Sequence, residues 1–190
     1  MKKIICLFAL CLASIPLSAQ SRMSYSLEFA AGVGLWKTPL FSLTPEFVAQ
    51  YDMGGGFLLG AGTGLRYARP YYEYIVTDGV PSRNSCNELD VPVFMRIGYG
   101  TNNLYANIDA GYAIGLLSIA EFLWIPYTNY SGLFVEPQVG WRWGKRSALA
   151  LGLLLQQSLL QEEINEGTKQ SVRNLNLFTP SITLRYVLGL

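Results

Sequence analysis

Leu104-Tyr105-Ala106-Asn107-Ile108-Asp109-Ala110-Gly111-Tyr112-Ala113-Ile114-Gly115-Leu116 is the stretch that decides the fold. Leu104, Ala106, Ile108, Ala110, Tyr112, Ile114 and Leu116 are apolar, and Tyr105, Asn107, Asp109, Gly111 and Gly115 alternate with them. A helix repeats its faces every 3.6 residues and a strand every two, so this is a strand with one greasy face and one small or polar face.

The same period runs outward in both directions. Toward the N-terminus, Leu89, Val91, Val93, Met95, Ile97 and Tyr99 oppose Asp90, Phe94, Arg96 and Gly98. Before them, Phe57, Leu59, Ala61, Leu65 and Tyr67 oppose Gly60, Gly62, Gly64 and Arg66; Leu43, Phe47, Ala49 and Tyr51 oppose Thr44, Glu46, Gln50 and Asp52; and Tyr25, Leu27, Phe29 and Val33 oppose Ser26, Glu28, Ala30 and Gly32. Toward the C-terminus, Leu133, Val135, Val139, Trp141 and Trp143 oppose Glu136, Gln138, Gly140 and Arg142; Leu149, Leu151, Leu153 and Leu155 oppose Ala150, Gly152 and Gln156; and Ile182, Leu184, Tyr186 and Leu188 oppose Thr183, Arg185 and Gly189. That predicts about eight strands, the size of the smallest common outer-membrane barrel.

Charge assigns the faces. The apolar set carries no charged residue, whereas Glu28, Glu46, Asp52, Arg66, Asp90, Arg96, Asp109, Glu136, Arg142 and Arg185 all fall on the other set among Gly and Ala. A soluble barrel needs charge outside and grease inside. Here the charged face is too crowded with small residues to be a solvated exterior, so the apolar face is expected to meet lipid and the polar face a narrow lumen. The alternative, a soluble lipocalin-like carrier, predicts recovery of the protein without detergent. The fold class expected is an all-β, transmembrane, antiparallel up-and-down barrel.

The first residues read as a leader. Lys2 and Lys3 precede the apolar run Ile4–Leu12, and Leu17-Ser18-Ala19 supplies small residues before Gln20, which predicts a cleaved signal peptide over 1–19 and a barrel domain over 20–190. Beyond residue 20 no apolar run reaches the length of a membrane helix, so a closed barrel is the remaining way to satisfy the backbone in lipid. Cys6 and Cys11 belong to the leader, leaving Cys86 as an incidental loop residue without an internal disulfide partner.

Connections set the topology. The stretches 53–56, 100–103 and 144–147 are short and turn-like, whereas 69–87, 118–131 and 160–173 are long, and 37–42 is intermediate. Short periplasmic turns and longer outer loops, with both termini in the periplasm, fit this alternation. Trp36, Tyr51, Tyr67, Tyr99, Trp141, Trp143 and Tyr186 stand near strand ends, where aromatic belts meet headgroups. Pro45, Pro92, Pro137 and Pro180 recur about one hairpin apart. A change of apolar parity around Pro180 predicts a bulge there.

Leu89-Asp90-Val91-Pro92-Val93-Phe94-Met95-Arg96, together with an alternating C-terminus of Tyr186, Leu188 and Leu190, resembles the PorT-like "outer membrane protein beta-barrel domain" family. More broadly, the 20–190 segment resembles OmpA/OmpX-type barrels. The resemblance implies an outer-membrane location, insertion by the barrel-assembly machinery and lipid as a permanent partner. Within it, the final residue is Leu where an aromatic is usual.

Functionally, the sequence is most informative in what it lacks. It contains no histidine, so Ser-His-Asp and Cys-His catalysis are excluded and ordinary zinc sites are disfavoured. No cofactor, metal or nucleic-acid partner is expected, and the protein is read as non-enzymatic; its formal net charge is +1, with no basic cluster. The charges on the polar face are expected to pair into a plug, because unpaired charges buried there are costly. Arg96, Arg142 and Arg185 would form the cationic arm, with Glu46, Asp90, Asp109 and Glu136 as acceptors, alongside Glu28 and Arg66. Recognition of a surface ligand or protein is assigned to outer-loop aromatics, Tyr71, Tyr72, Tyr74, Trp124, Tyr127 and Tyr130. A small channel and an accessory barrel of a secretion or assembly complex are the alternatives.

Overall fold

A computed structural model describes residues 22–35, 40–75, 81–101, 103–120, 127–144, 146–166 and 169–189, with side chains described over 22–35, 41–69, 88–101, 103–116, 132–144, 146–157 and 178–189. The expected leader, Trp36 and Trp124 lie outside the described residues, as do the side chains of Tyr71, Tyr72, Tyr74, Tyr127 and Tyr130.

The strands are β1 (Met23–Gly34), β2 (Leu40–Gly54), β3 (Phe57–Gly64), β4 (Arg66–Ile75), β5 (Pro81–Gly100), β6 (Leu104–Ala120), β7 (Tyr127–Trp143), β8 (Ser147–Glu166) and β9 (Lys169–Gly189). All pairings are antiparallel, and β1 pairs with both β2 and β9, so the sheet closes on itself. β3 and β4 both lie between β2 and β5 and form one stave broken at Leu65, so nine strands make eight staves.

The break has a local cause. Pro45 on β2 and Pro92 on β5 flank it, and neither is in register with a residue of the broken stave. Proline brings no N–H to a ladder. The Pro45 carbonyl still accepts a bond from the Leu65 amide at 3.0 Å, which holds the stave in line.

Burial follows the two-residue period. Phe29, Val33, Met95, Ile97, Ile108, Val139, Trp141 and Leu151 are each more than half exposed, whereas Glu28, Arg96, Asp109 and Arg185 are at most 2 % exposed. An exterior of this kind is stable only against hydrocarbon, which identifies a membrane-spanning barrel. Tyr67, Tyr99, Trp141, Trp143 and Tyr186 all stand on this exterior. Phe57 packs edge-on to Tyr99 at 5.0 Å, and Trp143 lies 6.2 Å from Tyr186. Tyr51 on β2 is half-buried.

Three expectations are corrected. First, the long outer stretches are largely strand: β4 and β5 pair out to Ile75↔Pro81, and β8 and β9 out to Glu166↔Lys169. Tyr71, Tyr72, Tyr74, Tyr127 and Tyr130 are therefore strand positions, as is Cys86. In sequence these stretches lack strict alternation, with Tyr71-Tyr72, Leu159-Leu160 and Glu162-Glu163 side by side, so two-residue periodicity does not reveal them, although backbone pairing does not need it.

Second, there is no bulge at Pro180: the β8–β9 register runs unbroken from Ser147↔Leu188 to Glu166↔Lys169. The Pro180 carbonyl accepts from the Leu35 amide at 2.8 Å, and β1–β9 pairing ends at Gly34↔Ser181. In an antiparallel ladder a residue's N–H and C=O point to the same neighbour, so the missing N–H falls where β1 has run out. Register shifts occur instead at Asp52/Gly54, Leu89/Asp90 and Thr128/Ser131.

Third, the charged lumen is not one cluster, and Arg142 is not part of the cationic arm.

Candidate functional site

The lumen is built from alternate residues of every stave, so each inward side chain is positioned by pairing on both sides. Its lower half, toward the ends of β2, β5 and β7 at Gly54, Gly100 and Trp143, is crossed by an ion-pair lattice. Arg96 on β5 makes two paired forks. Its Nε and Nη2 donate to Asp109 Oδ1 and Oδ2 at 2.6 and 2.7 Å, and its Nη1 and Nη2 donate to Glu28 Oε1 and Oε2 at 2.6 and 2.9 Å. Arg185 on β9 continues the lattice, donating to Glu28 Oε2 at 2.9 Å, to Glu46 and to Glu136 Oε2 at 2.9 Å. β1 thus touches β5 and β9 through one carboxylate, which ties residues far apart in sequence across the barrel.

Neutral groups complete the shell. Ser26 Oγ donates to Glu28 at 3.0 Å, Gln138 Nε2 to Asp109 at 2.5 Å and Thr183 Oγ1 to Glu136 at 2.5 Å. The alternation placed all three on the polar face of their strands, but the expected network was drawn from formal charges alone and gave them no part in it. Bidentate guanidinium–carboxylate geometry of this kind is the strong form of the interaction.

Above the lattice a second, separate pair joins Arg66 to Asp90, with Nε and Nη2 at 3.0 and 2.7 Å from Oδ2. Asp90 therefore serves Arg66 and not the arm formed by Arg96 and Arg185. Arg142 sits apart too: its guanidinium lies over the Tyr105 ring, 4.9 Å from the centroid, and it reaches the Thr101 carbonyl at 3.4 Å. The reason is its level on β7, one turn-ward step beyond Gly140, the partner of Tyr105.

Between and beside the ion pairs the lumen is apolar and tight. Val48, Phe94, Ala113, Phe134 and Leu154 form a buried cluster, with Phe94 and Phe134 edge to face at 6.1 Å. Phe94 fits because Gly62 and Gly111 face it: a Cβ on either would collide with its ring or its own Cβ. The void among Glu46, Arg66, Glu136 and Arg185 is about 10 Å³, no more than a single water needs. Among the described residues no group of three or more His, Cys, Asp and Glu is arranged to hold a metal ion.

No family model matches the chain, and no curated protein matches it. Among solved structures it is similar to the outer membrane protein OprG from Pseudomonas aeruginosa, at 9% identity and TM-score 0.48, over 88% of this chain and 93% of that one. It is similar to the outer membrane protein AlkL in lipid bilayers, at 12% identity and TM-score 0.48, over 89% and 90% of the two chains. It is also similar to Neisserial surface protein A, at 12% identity and TM-score 0.44, over 87% and 94%. All three are described as outer-membrane or surface proteins; the barrel fold of the present chain is established by its own strand closure.

Proposed function

We propose that this chain is a non-enzymatic outer-membrane barrel whose lumen is closed by side chains and which acts as a structural or surface recognition protein through its outer end. The observation that carries this reading is the lattice of Arg96, Arg185, Glu28, Glu46, Asp109 and Glu136 across the lumen, with both guanidiniums at most 2 % exposed. An eight-stave barrel is narrow enough for side chains to fill, and ions crossing this layer would have to displace charge-assisted bonds. The apolar exterior supports a bilayer location, and the paired arms 71–75 with 81–85 and 163–166 with 169–172 supply a surface beyond the barrel wall. The absence of histidine from the sequence supports a non-enzymatic role.

A pore is the second reading, favoured by a cavity that opens at the turn end and reaches Glu28 and Arg96. Single-channel recording in a planar bilayer separates the two. Refolded protein, verified as a closed barrel by heat-dependent gel migration, is expected to show no steady conductance. A reproducible conductance that changes in Arg96→Gln or Glu136→Gln would overturn the closed lumen and make this a channel.

A further inference from the structure

At the turn end the lumen widens into a cavity of about 370 Å³, within the range of small-ligand sites, roughly 300–1,000 Å³. Its floor is the Glu28–Arg96 pair. Arg22, Arg142 and Arg146 line it as well, and none of the three has a carboxylate within ion-pair distance among the described residues. The carboxylates of the lining are already engaged. Glu28 is held by Arg96 and Arg185, and Asp52 accepts from the Gly54 amide of its own turn at 2.7 Å.

Closure brings the three guanidiniums to one arc of the wall. Arg142 is on β7, and Arg146 stands in the turn that leads to β8. The Gly189 amide donates to the Arg146 carbonyl at 2.7 Å, and Gly189 pairs with Ser26 on β1, the strand that Arg22 precedes. Arg142 is the fixed member of the three. It is half-buried, its guanidinium lies over the Tyr105 ring and reaches the Thr101 carbonyl, and a Cβ on Gly100 would stand 3.4 Å from both Nη1 and Nη2. The ring on one side and the end of β5 on the other hold this planar fork in place, with donors to spare for an oxyanion. Ser24 and Gln50, paired in register on β1 and β2, add neutral donors to the same lining.

We propose that the mouth of this cavity binds a dianionic phosphate group, free or as a monoester, seated on Arg142 with Arg22 and Arg146 supplying the surrounding positive charge. Above the floor, three guanidiniums stand against the single carboxylate of Asp52. That excess favours a doubly charged oxyanion over a carboxylate, in a cleft whose low-dielectric walls concentrate the field. Phosphate also presents several strong acceptor oxygens, which suits donors arriving from β1, β2 and β7. The floor sets the depth of the site. Behind it Arg96 and Arg185 share the four carboxylates Glu28, Glu46, Asp109 and Glu136, so an anion is held at the mouth and repelled from the lattice.

The test is isothermal titration of the refolded, full barrel in a phosphate-free maltoside detergent with inorganic phosphate, glycerol 3-phosphate, glycerophosphoglycerol and acetate. Phosphate and its monoester are expected to bind saturably, about tenfold or more tighter than the diester or acetate. Arg142→Gln should weaken phosphate by a similar factor. Arg22→Gln combined with Arg146→Gln, both exposed positions, should narrow the preference for phosphate over acetate. Each variant is first checked for heat-dependent migration, and the exposed pair keeps the test open if Arg142→Gln does not fold. The diester carries the chemistry of a lipid headgroup, so binding of it as tight as the monoester would assign the site to lipid and overturn the proposal. No saturable binding of phosphate, equal binding of phosphate and acetate, or binding unaltered in the folded variants would overturn it too. Conductance is read separately, so a closed lumen that binds no phosphate sinks this site and leaves the plug standing.

Discussion

Arg96 illustrates how much one buried side chain can organise. Its guanidinium answers both Glu28 and Asp109, and the same Glu28 answers Arg185. Removing one partner of a buried pair leaves the other charged and unpaired, which typically costs about 3–5 kcal/mol. Arg96→Met is expected to lose stability of that order in urea titrations of the micelle- or bilayer-embedded barrel. Adding Glu28→Gln and Asp109→Asn to it should recover more than half of the loss, because the orphaned charges go with the guanidinium. A simple volume defect would show no such recovery. The lumen also has a steric test at single residues. Gly62→Ala forces Phe94 aside and should destabilise by about 1–3 kcal/mol, with Phe94→Leu in the same chain relieving it. Inward polarity was legible at each of these positions from alternation alone. Partner choice was not, since Arg66 and Arg142 carry the same charge as Arg96 and differ only in level along the barrel.

At the scale of strands, the exterior and interior faces predict opposite tolerances. Leu151, 60 % exposed on β8, faces hydrocarbon, and Leu151→Arg is expected to cost about 2–4 kcal/mol on folding into bilayers. The neighbouring face already holds Arg185, paired in register with Ala150, at no such penalty because its charge is matched. The prolines show what strand reading reaches and what it misses. Their spacing marked places where a ladder loses a hydrogen bond. That Pro45 and Pro92 approach one stave from both sides and break it at Leu65 depended on which strands are neighbours. Pro45→Ala combined with Pro92→Ala should restore donors to that gap and slow amide exchange at Leu65 and its neighbours, measured in micelles. The outer arms escaped prediction for a related reason: backbone pairing extends β4 with β5 and β8 with β9, and their sequence lacks the strict alternation that reveals a strand inside a bilayer.

For the molecule as a whole, closure is the property on which location and function rest. A closed, lipid-facing barrel of this kind should need detergent for solubility and migrate faster on gels unheated than boiled. Recovery as a soluble, heat-insensitive species would exclude the membrane reading. The sequence alone settled the strand period, the sidedness of every stave, the approximate stave number and the absence of histidine chemistry, because side-chain direction alternates with backbone position and needs no knowledge of neighbours. Tertiary structure decided the pairing of charges, the broken third stave, the paired outer arms and the separation of Arg142 from the lattice into a cavity of its own. Those features depend on strand stagger and tilt, which determine the residues that meet across a lumen only a few side chains wide, and stagger is a property of the closed sheet that no single strand carries.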